Sequence, residues 1–185
     1  MARMIDSAWA LGSYHGVLRD LIRSLKYQQR RSVLPCIAAF LREAQSQLPA
    51  AFQQAELAVP VPLHPDKEAK RGFNQTELIF RGWLAAQQLP MRRCLCRTRP
   101  TQPQYGLSAS ERRHNMKGAF ALTDGRLPAL TNDGLQTVLD MVRGRHILLL
   151  DDILTTGSTL AAGAQVLQQA GAASVVVLVL ASDRK

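Results

Sequence analysis

Cysteine is scarce in this chain: Cys36, Cys94 and Cys96 are the only three among 185 residues, an odd number with no Cys-x-x-Cys pair. That pattern argues against both a disulfide framework and a zinc site. Aromatic residues make up 5% of the chain, little material for the stacking platforms of general single-strand binders. Long hydrophobic runs are missing as well. The longest, residues 175–181, is far too short to span a bilayer, and the first eleven residues carry Arg3 and Asp6 within a short apolar stretch, unlike a signal peptide. These absences predict a protein of the reducing cytoplasm with no membrane insertion. Neither a Gly-x-x-x-x-Gly-Lys-Ser/Thr loop nor a Gly-x-Gly-x-x-Gly fingerprint occurs, and no internal repeat or low-complexity tract is visible.

What is present is basic charge and enough apolar material for one core. With 46% hydrophobic residues the chain can bury a proper core without staples, which predicts a single domain over 1–185. Twenty-three basic residues against 14 acidic ones give a net charge of +9, which fits phosphate-rich ligands and a nucleic-acid surface equally well. The arginines gather at Arg92, Arg93, Arg97 and Arg99 and again at Arg112 and Arg113. Scarce aromatics favour a phosphate-binding cleft, with a solvated basic face as the plain alternative for several of these residues.

Along the chain, Val17, Leu18, Leu21, Ile22 and Leu25 recur at helical spacing over 14–27, and Pro35 opens a second amphipathic helix to about residue 48. The first fifty residues thus read as helices ahead of an α/β core over 55–185. Residues 57–61 read as a strand, 62–73 as a charged turn region, and 74–88 as a helix with Asn74 as N-cap. Short strands follow at 94–96 and 118–122, separated by a long polar loop. Residues 123–143, with Gly125, Pro128 and Gly134, read as an inserted loop and short helix. Residues 174–181 close the sheet as a last buried strand.

The chemistry concentrates at His146-Ile-Leu-Leu-Leu-Asp-Asp-Ile-Leu-Thr-Thr-Gly-Ser-Thr159. The apolar run 147–150 suits a central parallel strand covered on both faces. Asp151 and Asp152 stand at its carboxyl end, where open α/β sheets place ligands. Thr155, Thr156, Gly157, Ser158 and Thr159 lead into a helix that ends near Gly171, so unpartnered N–H groups and hydroxyls converge where a phosphate would be held. Carboxylates cannot bind that phosphate, but they accept hydrogen bonds from vicinal sugar hydroxyls or hold a hydrated Mg²⁺ through its waters. The plain alternative is that the acids only end a strand and the hydroxyls only cap a helix. The paired acids of a receiver domain are another, but that fold needs a phosphoacceptor Asp on a later strand, and only one strand follows.

The nonapeptide Asp151-Asp-Ile-Leu-Thr-Thr-Gly-Ser-Thr159 resembles the phosphoribosyl pyrophosphate (PRPP) motif of type I phosphoribosyltransferases. Further blocks resemble the ComF/GntX family: Tyr14-His-Gly-Val-Leu-Arg-Asp-Leu-Ile22 with Lys26, Val59-Pro-Val-Pro-Leu-His64, Arg71-Gly-Phe-Asn-Gln75, and Arg97-Thr-Arg-Pro-Thr-Gln102 with Leu107, Arg112, Asn115 and Phe120. This resemblance covers nearly the whole chain. It implies a type I phosphoribosyltransferase-like α/β fold, a mostly parallel twisted sheet with helices on both faces behind an N-terminal helical segment. It implies Asp151 and Asp152 at the ribose hydroxyls and a hydrated Mg²⁺, residues 155–159 at the 5-phosphate, and Leu63, His64 and Arg71 at the pyrophosphate. Gln102, Arg112 and Asn115 fall in a candidate lid over 97–117. Relatives commonly begin with a cysteine-rich zinc segment, which this chain lacks, and the stretch around 123–143 looks longer than theirs. The implied function is a Mg²⁺-dependent, PRPP-binding protein that transfers phosphoribosyl to a nucleobase-like acceptor, tied to DNA uptake or to gluconate use. The alternatives are an accessory factor of the DNA-uptake machinery without turnover, and a basic nucleic-acid-binding protein.

Overall fold

Apolar strands with period-two alternation and no polar face leave a sheet that must be covered on both sides. The computed structural model, which describes residues 5–99, 111, 115–116, 118–123 and 138–183, shows that arrangement. In chain order the elements are β1 (Ser7–Ser13), α1 (Gly16–Gln28), α2 (Leu34–Ala44), β2 (Leu57–Pro60), α3 (Pro65–Arg71), α4 (Gln75–Ala86), β3 (Leu95–Arg97), β4 (Phe120–Leu122), α5 (Val138–Val142), β5 (His146–Leu154), α6 (Ser158–Gln169) and β6 (Ser174–Ser182). The main sheet runs β1-β6-β5-β2, every pair parallel, and β3 and β4 form a separate antiparallel pair. Met91 adds a parallel bridge to Ala58 on the outer side of β2.

Alternation along β5 divides the core. Ile147 and Leu149 face α5, α6 and the β3–β4 pair, where Leu160, Leu167, Met141, Val142, Leu95 and Phe120 are buried. Leu148 and Leu150 face α1, α2 and α4, against Ile22, Leu25, Ile37, Leu41, Phe80 and Leu84. Each of these side chains, fully buried, contributes roughly 1.5–3 kcal/mol, so β5, covered on both faces and flanked by β6 and β2, is held rigidly. The loop after Asp152 therefore hangs from a strand whose residues 147–150 are all buried.

The structure corrects the N-terminal reading. Residues 7–13 are not part of a helical lead-in but an edge strand, paired with β6 from Ser7 opposite Val176 to Ser13 opposite Ser182. Asp6 anchors the pairing, accepting a hydrogen bond from the Val175 N–H at 2.8 Å across 169 positions of sequence. Seven residues of mostly small side chains carry too little alternation to reveal a strand whose partner lies at the other end of the chain. One further difference is local. The charged segment after β2 contains α3, whose signals were present: Pro65 in the first turn, Asp66 and Glu68 early, Lys70 and Arg71 late, and Gly72 at φ 77° to end it. The short helix expected within 123–143 is present as α5, with Val138, Met141 and Val142 in the core; residues 124–137 lie outside the described residues.

β1 is held close to the helices by Gly12. A Cβ there would stand 2.7 Å from Leu18 Cδ2 and 3.0 Å from Phe40 Cζ. Both are side-chain ends that can shift, so Gly12→Ala should cost about 1–2 kcal/mol, read as a lower urea midpoint at unchanged slope.

Candidate functional site

The carboxyl ends of the parallel strands bring together the segments after β2 and β5. Asp151 and Asp152 lie within β5 rather than beyond it, since the strand continues to Leu154. Their environments differ. Asp152 is buried on the side of α1, where Lys26 Nζ stands 2.6 Å from its Oδ2, with side-chain exposures of 16% for the lysine and 6% for the aspartate. Oδ2 has no aligned hydrogen bond among the described residues, so attraction between the charges carries the contact. Burial works against the Lys26 charge, but Asp152 at contact, with Asp151 adding, outweighs it and holds the lysine pKa above its usual value. Asp151 is half-buried; its Oδ1 accepts from the Asp152 N–H at 2.9 Å and, more weakly, from Thr76 Oγ1 at 3.5 Å. Desolvation, helped by the neighbouring Asp152 charge and opposed by Lys26, pushes the Asp151 carboxyl up to about 7.

Behind the acids, the loop turns sharply at Gly157, whose φ of 81° suits glycine, and α6 starts at Ser158. Thr156 Oγ1 lies 3.0 Å from Ser158 Oγ and accepts from the Ser158 N–H at 3.4 Å. The first α6 bond, Ala161 N–H to Gly157 C=O at 2.8 Å, leaves the preceding N–H groups of the turn without intrahelical acceptors. Thr155, Thr156, Gly157, Ser158 and Thr159 are thus gathered at the positive end of a helix dipole, within a few residues of the acid pair.

The β2 side supplies positive charge. Leu63 and His64 follow the strand, both half-buried. His64 caps α3: its Nδ1 accepts from the Asp66 N–H at 3.3 Å. Because that nitrogen is then without a proton, its 3.4 Å approach to the Asp66 carboxylate is not an ion pair. Arg71 ends α3 and donates to Gln75 Oε1. Lys67, not singled out by sequence, lies near both Arg71 and Arg97: burial, then Arg97 and Arg71, push its pKa down. Arg97 itself sits 5.0 Å from the Phe120 ring centroid and donates through Nε to Pro62 C=O at 3.0 Å. Burial lowers its pKa while the Asp151 charge opposes, which places this basic group in electrostatic reach of the acid pair. Leu63, Arg97, Cys96, Glu77 and Arg93 line a cavity of about 180 Å³.

The start of α4 is unusual in being polar and buried at once, with Asn74, Gln75, Thr76 and Glu77 all nearly inaccessible. Asn74 caps the helix, accepting from the Thr76 N–H at 3.0 Å, while its amide donates to Val61 C=O at 3.0 Å. That second bond ties the helix to the segment after β2. Glu77 meets Arg93 through both oxygens, at 2.6 and 2.9 Å, and Arg93 also reaches Glu68 at 2.7 Å. A larger hollow of about 850 Å³ lies between α2 and α4, beside the segments that precede β2 and follow α4, where Gln45, Trp83 and Gln87 bond to one another. Neither Asp151 nor Asp152 lines it.

Of the expected lid residues, Asn115 accepts from Arg99 Nη2 at 3.0 Å through its carbonyl, while Gln102 and Arg112 lie outside the described residues. Among cysteines, Cys94 is buried and its thiol is pushed up to about 11, so it is no thiolate at neutral pH. No helix among the described residues is long and apolar enough to cross a membrane.

Residues 96–185 match the phosphoribosyl transferase domain family. The chain is 34% identical over 172 residues to DNA utilization protein YhgH of Escherichia coli (strain K12), covering 90% of this chain and 68% of that one. It is 29% identical to Competence protein F of Haemophilus influenzae, covering 95% and 72% of the two chains. Against Competence protein ComFC of Bacillus subtilis it is 24% identical, covering 89% and 59%. These alignments extend well beyond the part matched by the domain family, through the N-terminal helices and α4, and the chain therefore belongs to the ComF family of phosphoribosyltransferase-like proteins, with the α/β fold of that domain.

Proposed function

We propose that this protein binds PRPP with Mg²⁺ at the carboxyl ends of β5 and β2, and transfers phosphoribosyl to a nucleobase-like acceptor in the service of DNA utilisation in the cytoplasm. The observation that carries this reading is the acid pair of β5 followed at once by the Gly157 turn and the α6 N-terminus. An oxygen-only donor set with a half-buried Asp151 carboxylate fits a hydrated Mg²⁺, which needs one or two carboxylates and keeps several waters. When bound, that ion would offset the negative charge of the pyrophosphate.

The chain's own groups divide the remaining work. Thr155, Thr156, Ser158 and Thr159, with the helix N–H groups, would grip the 5-phosphate. Asp151 would accept hydrogen bonds from the ribose hydroxyls. Lys67, Arg71 and Arg97 would steady the pyrophosphate as it leaves, and a rigid β5 would keep donor and acceptor in line, where positioning and electrostatics are worth most. The names of the E. coli and H. influenzae relatives, DNA utilization protein and Competence protein F, support the cellular role.

Isothermal titration of PRPP and Mg²⁺ tests the donor reading. The wild type should bind, and Asp151→Asn should weaken binding at least about tenfold, or about 1.4 kcal/mol; no binding by the wild type would overturn it. Pyrophosphate release with a panel of bases then separates a transferase from an accessory factor that binds without turnover. DNA affinity that persists after loss of both aspartates and falls steeply with salt would point to the nucleic-acid reading.

A further inference from the structure

The two acids of β5 cannot do the same thing, because one of them already has a cation. Lys26 comes from α1, ahead of the core, yet its ammonium reaches 2.6 Å from Asp152 Oδ2 in a site where neither side chain is more than 16% exposed. Asp151, the residue before it on the strand, is the more accessible of the two and, among the described residues, has only neutral donors, Thr76 Oγ1 and the Asp152 N–H, on its Oδ1. We propose that Lys26 is the resident cation of the acid pair, holding Asp152 turned into the protein and competing there with divalent metal, so that Asp151 alone of the pair faces the incoming donor. The inference rests on the donor-site reading and deepens it: it makes Lys26 a positioning residue that acts through Asp152. A buried ammonium at contact distance repels a second cation strongly. The free protein therefore holds metal poorly, and metal enters together with an anionic ligand that brings its own charge.

The test uses the full chain and Mn²⁺ alone, followed by the magnetic resonance signal of the free ion, with Mg²⁺ as competitor. The wild type should bind weakly. Lys26→Met should bind at least about tenfold more tightly, Lys26→Arg should return the weak affinity by restoring the charge, and the gain should vanish in Lys26→Met/Asp152→Asn. Equal Mn²⁺ affinity in wild type and Lys26→Met, or a gain that survives the double substitution, overturns the proposal. Should Lys26→Met fail to fold, acetylation of the wild type decides: Lys26 should react far more slowly than exposed Lys70, and saturating Mg²⁺ should speed it by displacing the ammonium. An unchanged rate with Mg²⁺ overturns the proposal equally. No arm contains PRPP, so failure of the donor reading would show only in the PRPP titration.

Discussion

Metal-free protein should lose stability as pH rises from about 4 to 7, and Asp151→Asn should remove most of that loss. The cause is the Asp151 carboxyl, pushed up to about 7 by burial beside Asp152, against roughly 3.9 in an unfolded chain. Between those values the native state holds a proton that the unfolded state has released, so the slope of unfolding free energy with pH is negative. The contribution is fully present below the unfolded pKa and gone above the folded one. A shift of that size would correspond to about 4 kcal/mol at most, and partial exposure of Asp151 reduces the expectation to about 2 kcal/mol. The asparagine keeps an acceptor for the Asp152 N–H and Thr76, so its stability should exceed that of the wild type at pH 8 and approach it at pH 4. Urea midpoints across that range measure the difference, and parallel curves for the two proteins would rule the assignment out. Stabilisation by a substitution that weakens PRPP binding is the expected trade at a site whose charge is held against its own burial.

Replacing Arg93 with alanine should destabilise the protein by about 2 kcal/mol, although the arginine is 54% exposed. The cost sits with its partner. Glu77 is 8% exposed at the start of α4, and Arg93 meets both of its oxygens. Arg81, at 3.9 Å and 65% exposed, offers only a weak substitute. An exposed ion pair lost in water would cost under about 1 kcal/mol, so the size of the effect separates a buried charge left without its partner from a surface contact. Glu77→Gln added to Arg93→Ala should recover at least half of the loss, because it removes the stranded charge. Since Glu77 is next to Thr76, which touches Asp151, loosening this pair should also reach the acid site; a drop in PRPP affinity alongside the midpoint would show it.

Much of the architecture was legible wherever the signal is short-range. The β5 run, the α1, α2 and α4 periodicities and the Asn74 cap all stand in the structure as the sequence implied, because burial pattern and capping chemistry act over a few residues. The α3 helix was equally written in Pro65, the early acids, the late bases and Gly72, but its charge made it look like a turn. β1 was not legible, because pairing with β6 rests on backbone bonds that leave no mark on side-chain order.

By itself, then, the sequence determined the nature of the site: an acid pair, a hydroxyl-rich turn and a helix start are consecutive, and consecutive residues at the end of a buried strand have little choice about where they go. Only the tertiary structure decided how the two acids differ. Lys26 reaches Asp152, Thr76 reaches Asp151 across 75 positions, and Arg97 comes near from the β3–β4 pair, because the strand order β1-β6-β5-β2 places β5 among elements far apart in the chain. Charge state and accessibility follow from those neighbours, since a carboxylate in a low-dielectric interior is governed by whichever charge lies within a few ångströms, and no local pattern specifies which that will be.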